Sequence, residues 1–175
     1  MGPSWQAGWG LFDEYATGEG PEIRRFDGGS TFVSEMMQSP GIETAVSAFY
    51  EHNQGAAPGS LESTRSFYRL SPNMEGSTSD ILTSLHQAAA AHADAIQSGV
   101  RMMVGGYYTV VSESTTPGSV QVAVWNDTTA NSHFAHRAES FSRGSETTPG
   151  GSTQQWFVWD VPLDAARLRP PVPGR

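Results

Sequence analysis

SVQVAVWN, residues 119–126, alternates without a break: Val120, Val122 and Val124 fall on one side, Gln121, Ala123 and Trp125 on the other. Side chains of an extended chain point to opposite faces with a period of two, so this pattern predicts a strand with one buried face. QQWFVWDV (154–161) repeats it, with Trp156 and Val158 opposite Phe157 and Trp159. Upstream, VRMMVGGYYTVVSES (100–114) is apolar and β-branched and reads as a strand interrupted at Gly105-Gly106, as at a bulge or a close backbone approach. The turn TTPG (115–118) separates it from SVQVAVWN, which predicts an antiparallel hairpin.

Before residue 100 the period becomes helical. Trp5, Trp9, Phe12 and Tyr15 predict a helix over 4–17 with Ser4 as N-cap, ended by Gly18 and Gly20-Pro21. EIRRFDGGS (22–30) reads as a loop with a turn at its DGG. Phe32, Val33, Met36 and Met37 make one face of a short helix over 30–38. Ser39-Pro40 opens a third helix, whose core stripe is Ile42, Ala45, Val46 and Phe49, stopping near Asn53-Gln54-Gly55. SFYRL (66–70) is a candidate short strand inside a Gly-, Pro- and Ser-rich stretch. A fourth helix is expected from about Ser79 to Ser98, capped by Ser79-Asp80, with Leu82, Leu85, Ala89 and Ile96 on its core face and Gly99 ending it. Without βαβ alternation the expected class is α+β. A helical part, about 1–99, would pack on an antiparallel sheet formed by about 100–162, in one domain over 1–165 with a flexible tail at 166–175.

Composition narrows the function. The chain of 175 residues carries a net charge of −8, and its ten basic residues are all arginines, scattered along it. Nucleic-acid binding requires a basic patch that releases counterions from phosphates, so no nucleic-acid partner is expected, and an anionic membrane surface is disfavoured likewise. The absence of cysteine rules out disulfides, thiolate nucleophiles and Cys-ligated zinc, and leaves the chain indifferent to redox compartment. MGPSWQAGWG (1–10) has neither the charged nor the apolar region of a signal peptide, so an exported chain of this kind is expected to travel on a carrier.

The chemistry concentrates in WNDTTANSHFAHRAESFSR (125–143), directly after the best strand. His133 and His136 form an HxxH with Glu139 three residues on, but the glutamate beside the first histidine that marks a zinc hydrolase is missing. In a phosphoryl or acyl hydrolase His136 would serve as general acid or base, because imidazole titrates near neutrality. Arg137 and Arg143 would hold an anionic substrate, a task suited to the guanidinium fork. Asp127 would orient the histidine or bind a divalent cation such as Mg2+, and Tyr107 on the neighbouring strand would reach the same end of the sheet. The plain alternative is that Asn126-Asp127-Thr128-Thr129 is a turn held by side chain-to-backbone bonds and that the His and Arg residues are solvated. The other histidines carry less: His52 ends a helix, and His86 and His92 are six residues apart and do not share a helical face, with His92 expected near the apolar side.

The series GGYY (105–108), then Asn126, Thr128, Ser132 and His136 in an N-x-T-x-x-x-S-x-x-x-H spacing, then Arg143, PGGSTQQ (149–155) and WFVWD (156–160), resembles the C-terminal domains carried by some Rhs-type bacterial polymorphic toxins. MMQSPGIETAVSAFYEHN (36–53) resembles the segment that opens such domains, so the likeness spans roughly residues 15–161. It implies a secreted antibacterial effector, delivered by a secretion-system carrier and neutralised in the producer by a cognate immunity protein. Asp127 followed by His136-Arg137 is also similar in spacing to colicin M-type bacteriocins, which cleave the lipid II peptidoglycan precursor beside its pyrophosphate. Where those carry a tyrosine and a second aspartate after the first aspartate, this chain has Thr129 and Ala130. The resemblance implies hydrolysis of a phosphate or pyrophosphate ester in a lipid-linked cell-wall precursor, in the envelope of the target cell. In that reading His136, Asp127 and Arg137 are catalytic, and Arg143, Tyr107 and His133 bind substrate. The competing class is a non-catalytic module that acts through a protein or membrane partner.

Overall fold

A computed structural model describes residues 2–17, 20–70, 73–128 and 153–170. Ten elements follow in the order α1 (Pro3–Thr17), β1 (Ile23–Asp27), α2 (Thr31–Met36), α3 (Pro40–His52), β2 (Thr64–Tyr68), α4 (Thr78–Ala95), α5 (Gly99–Val104), β3 (Tyr107–Glu113), β4 (Ser119–Thr128) and β5 (Thr153–Pro162). The class is α+β, around a five-stranded sheet ordered β1-β5-β4-β3-β2. The sheet is mixed: β2 with β3, β3 with β4 and β4 with β5 pair antiparallel, and β1 lies parallel to β5. The expected division into a helical first half and a β second half is therefore only partly met, because β1 and β2 come from the first seventy residues.

The best-alternating segments sit at the centre. Val120, Val122 and Val124 of β4 and Phe157 of β5 are fully buried, on the face that receives the helices. Burying a side chain of this size contributes about 1.5–3 kcal/mol, so this row is a principal source of stability. α2 packs on β1 and β5, and α3 packs on β2 and β3. Val33 and Met36 of α2, and Ile42, Ala45 and Phe49 of α3, fill the layer between. Phe26 of β1 stacks between Phe32 and Phe157, with ring centroids 4.3 and 4.9 Å away.

Four expectations are corrected here. IRRFD is a strand, not a loop: Arg24 and Phe26 face inward, Phe26 buried and Arg24 partly so, their neighbours are exposed, and the ladder to β5 supplies the backbone bonds. Residues 99–104 form α5 rather than the start of a strand. Ser98 caps it by accepting from the Arg101 N–H at 3.3 Å, and Gly105 ends it in the left-handed region at φ +70°, so Gly105 is a helix stop rather than a bulge. α4 is capped by Ser77 through a reciprocal box with Asp80, and its buried face is Ala88, Ala91 and Ala95, while Leu82, Leu85 and Ile96 are exposed. Finally, residues 166–170 are not a free tail: Leu168 is buried, its carbonyl accepts from the Gly55 N–H at 2.7 Å, and Arg167 lies 4.3 Å from the Tyr50 ring centroid.

α1 begins at Pro3, so Ser4 lies inside the helix and its hydroxyl pairs with that of Ser98 at 2.8 Å. α1 crosses α5 where Gly8 meets Gly99; a methyl on either would overlap the backbone of the other helix. Ser39 is the N-cap residue of α3, as expected, but its side chain makes no capping bond and is directed into the core.

Candidate functional site

Residues 129–143 lie outside the described part of the chain, and with them His133, His136, Arg137 and Arg143. Of the expected site residues, Tyr107 is described in full and Asp127 only by its backbone, which faces Gln154 in the β4–β5 ladder. The described residues give the end of the sheet from which that stretch departs, a platform of paired strands.

That platform is a polar row on the helix-covered face, at the end of the sheet where β4 finishes. Tyr68 of β2 faces Tyr107 of β3, Asn126 of β4 faces Gln155 of β5, and Gln155 faces Arg24 of β1. Tyr107 is one step beyond the Tyr108–Trp125 pair, which sets it beside Asn126. Each strand thus ends its inner face with a polar or phenolic group, and in β4 and β5 that group adjoins an apolar run. Buried polar groups of this kind require partners, and most have them. The Asn126 side-chain amide donates to the Val104 carbonyl at 2.6 Å, tying the end of β4 to the end of α5. Arg24 pairs with Glu14 of α1 at 2.7 Å.

Helices add Ser39, Asp94 and Arg101 to one side of the row. The hydroxyls of Ser39 and Tyr107 are 2.6 Å apart, both residues are 2% exposed, and the Tyr107 ring stacks on Tyr68 at 5.0 Å. Burial pushes the Tyr107 phenol far above its usual range, against a smaller downward pull from the Ser39 bond. Its proton is retained at every physiological pH, so Tyr107 can donate a hydrogen bond but has no capacity to take a proton. Its hydroxyl points into the core toward Ser39 at the start of α3.

Arg101, 9% exposed, gives one terminal nitrogen to Asp94 at 2.9 Å and to the Gln38 carbonyl at 3.1 Å. Burial raises the Asp94 carboxyl above its ordinary range, and the Arg101 charge pulls it back in part. Burial also raises Tyr68, with Asp94 acting in the same direction and Arg101 against it. Among the described residues the Arg101 Nε, the Gln155 Oε1 and the Thr109 Oγ1 are buried without a hydrogen-bond partner. A guanidinium N–H and an amide oxygen suit an anion and a hydrogen-bond donor respectively, but neither performs acid–base chemistry near neutrality.

The three described histidines stand apart from this row. His52 is exposed at the end of α3 and bonds Glu62 at 3.1 Å, His86 is exposed, and His92 is exposed rather than set on the apolar side, with its Nδ1 2.9 Å from the Ala88 carbonyl. Among the described residues no group of three or more His, Asp or Glu side chains could hold a metal ion, and no helix is long and apolar enough to cross a membrane.

Arg101 and Gln155 were not singled out from the sequence, and Ser39 was singled out only as the cap of α3. The signals existed: Arg101 is the one charge inside VRMMV, and Gln155 occupies an inward position of an alternating strand. Comparison with protein-family models, with curated proteins and with solved structures finds no match to the chain.

Proposed function

We propose that this chain is an antibacterial effector toxin domain that hydrolyses a phosphate or pyrophosphate ester of a lipid-linked cell-wall precursor. The observation that supports it is the anchoring of Asn126. Asn126 lies on the central strand two residues before Thr128, paired with Gln155 and with its side chain held, and the chain then runs into the sequence carrying His136, Arg137 and Arg143. Catalytic groups work best on rigid elements whose rotamers are locked from behind, and the end of β4 is such a support. In this reading a water oxygen forms the new bond to phosphorus while the phosphorus–oxygen bond to the leaving group breaks. His136 removes the water proton and returns one to the leaving oxygen. Arg137 and Arg143 neutralise the phosphate oxygens, His133 contributes to substrate binding, and Asp127 orients His136 or holds a divalent cation such as Mg2+. The partners in this reading are a cognate immunity protein and a secretion-system carrier, with action in the envelope of the target cell.

The test is to express the domain in the cytoplasm and in the periplasm, with and without His136→Ala, and to follow lipid-linked precursors by mass spectrometry. Toxicity restricted to the periplasm, lost in the variant and accompanied by precursor cleavage, is expected. Toxicity confined to the cytoplasm, or unchanged by the substitution, overturns the reading. The second reading, a non-catalytic module acting through a partner, is favoured by one observation: the sheet face turned away from the helices bears exposed aromatic and arginine side chains.

A further inference from the structure

Among the described residues, no side chain on the face of the sheet opposite the helices is buried between residues 65 and 67, 108 and 112 in alternate positions, or 154 and 160 in alternate positions. Rows of paired positions cross this face, one of them joining Gln154 to Ile23. The middle row runs Arg65, Val110, Ala123, Val158, Asp27, from β2 at one edge to β1 at the other. Beside it run Phe67, Tyr108, Trp125, Trp156 and Arg25. On the other side lie Ser112, Gln121 and Asp160.

The aromatic row is already stacked on itself. Centroids are 4.4 Å apart from Phe67 to Tyr108, 4.8 Å from Tyr108 to Trp125 and 5.4 Å from Trp125 to Trp156, with planes within 30°. Bases and sugar rings bind on open ring faces, and here the inner rings turn their faces to each other. The Arg65 guanidinium lies 4.8 and 4.6 Å from the Tyr108 and Trp125 centroids and has no carboxylate partner among the described residues. Asp27 at the opposite edge is exposed and shares one oxygen with Arg25.

The order of the strands gives these rows a symmetry. β4 is central, with β3 and β2 on one side and β5 and β1 on the other. When two copies are laid face to face about a two-fold axis along β4, β2 of one copy stands opposite β1 of the other, and β3 opposite β5. Arg65 then meets Asp27 of the second copy, and Asp27 meets its Arg65. In the next row the Phe67 ring meets the second copy's Arg25, a cation–π pairing, and Trp125 meets Trp125. In the third, the Ser112 hydroxyl meets the Asp160 carboxylate. The opposite charges of Arg65 and Asp27 thus meet twice, once on each side of the axis, as an isologous interface requires; Asp160 also accepts from Ser114 and Thr116 of its own chain. Trp, Tyr and Arg are also the residues that dominate binding energy at protein interfaces.

We propose that this chain forms a homodimer through the open face of its sheet, about a two-fold axis along β4. Five strands about 4.8 Å apart and about seven residues long give a face of roughly 550 Å2 per copy before side-chain relief is added. The total of about 1,100 Å2 is at the lower edge of specific interfaces, so the dimer is reversible and its population depends on concentration. The proposal is independent of the catalytic reading.

Sedimentation velocity over a concentration series tests it, on the whole chain and on Arg65→Asp, Asp27→Arg and the double exchange. All these positions are exposed, and circular dichroism checks that each variant is folded. The expected result is a reversible dimer, weakened at least about tenfold in each single variant, where like charges meet, and restored to within about threefold in the double. A chain monomeric throughout, whether because another part of the chain covers the face or because nothing binds it, overturns the proposal. So does a dimer indifferent to both single variants, or a double variant no tighter than either single one. Ala123→Arg, which sets two like charges at the axis, is expected to abolish the dimer, and retention of the dimer in that variant also overturns it.

Discussion

The Ser39–Tyr107 bond offers a clean thermodynamic cycle, because each hydroxyl can be removed with little else. Ser39 makes no capping bond to α3, so Ser39→Ala removes only its link to Tyr107. Tyr107→Phe keeps the ring and its stack on Tyr68. Both residues are 2% exposed, so either single change leaves a buried hydroxyl unpaired, at a cost of about 1.5 kcal/mol. The double variant leaves no orphan and loses only the net bond, about 1 kcal/mol. The singles therefore sum to about 3 kcal/mol against about 1 for the double, a coupling of about 2 kcal/mol, within the range for directly bonded groups. Equilibrium urea unfolding of the four proteins reads it, with each single variant losing roughly 3–6 °C in Tm. Additive single effects would refute the bond. Tyr107→Phe also addresses function: it is expected to retain toxicity, and a variant of unchanged stability that has lost toxicity would show that the hydroxyl serves a ligand rather than Ser39.

Two further outcomes follow from the helices. Arg101→Met removes the charge that pulls the Asp94 carboxyl down, so burial raises it further. A folded-state pKa above the unfolded one means stability falls as pH rises through the carboxylate range toward the folded value, and is level beyond it. The variant is expected to lose about 2 kcal/mol near pH 7, less than a fully buried pair would because Asp94 retains some exposure, and distinctly less near pH 4; thermal melts at the two pH values check this, and an equal loss at both would refute it. Gly99→Ala sets a methyl against the backbone of α1 at Trp5, where nothing flexible can yield, and is expected to cost about 2–3 kcal/mol by denaturant titration; a loss below 1 kcal/mol would refute the close crossing.

The legible parts of the sequence were those whose pattern agrees with their surroundings. β4 and β5 alternate because one face is buried and the other is not, and α3 shows its stripe because it lies directly on β2 and β3. β1 was missed because two of its five residues are arginines and its strand character comes from β5, far along the chain. VRMMV was misread because Val100 and Val104 are four apart, a spacing that serves a short helix while the run of apolar residues mimics a strand. In α4 the large residues suggested the buried face, yet Ala88, Ala91 and Ala95 are the ones buried; side-chain size alone does not tell which stripe meets a neighbour. Tyr107 stands at the start of β3 with its hydroxyl on Ser39, a partner the sequence does not give, since alternation gives the face of a residue and not the partner it finds there.

The parallel pairing of β1 with β5 has a consequence for the order in which the chain can fold. As the polypeptide emerges from the ribosome, β1 is among the first elements out and β5 among the last, so β1 has no ladder to join until nearly all of the described chain has been made. β5 then supplies pairing to β1 and β4 together. Contacts of such long sequence separation slow folding. In the interval Phe26 and the inner valines of β4 have an incomplete shelter, and the nascent chain is open to association with other copies or to capture by chaperones.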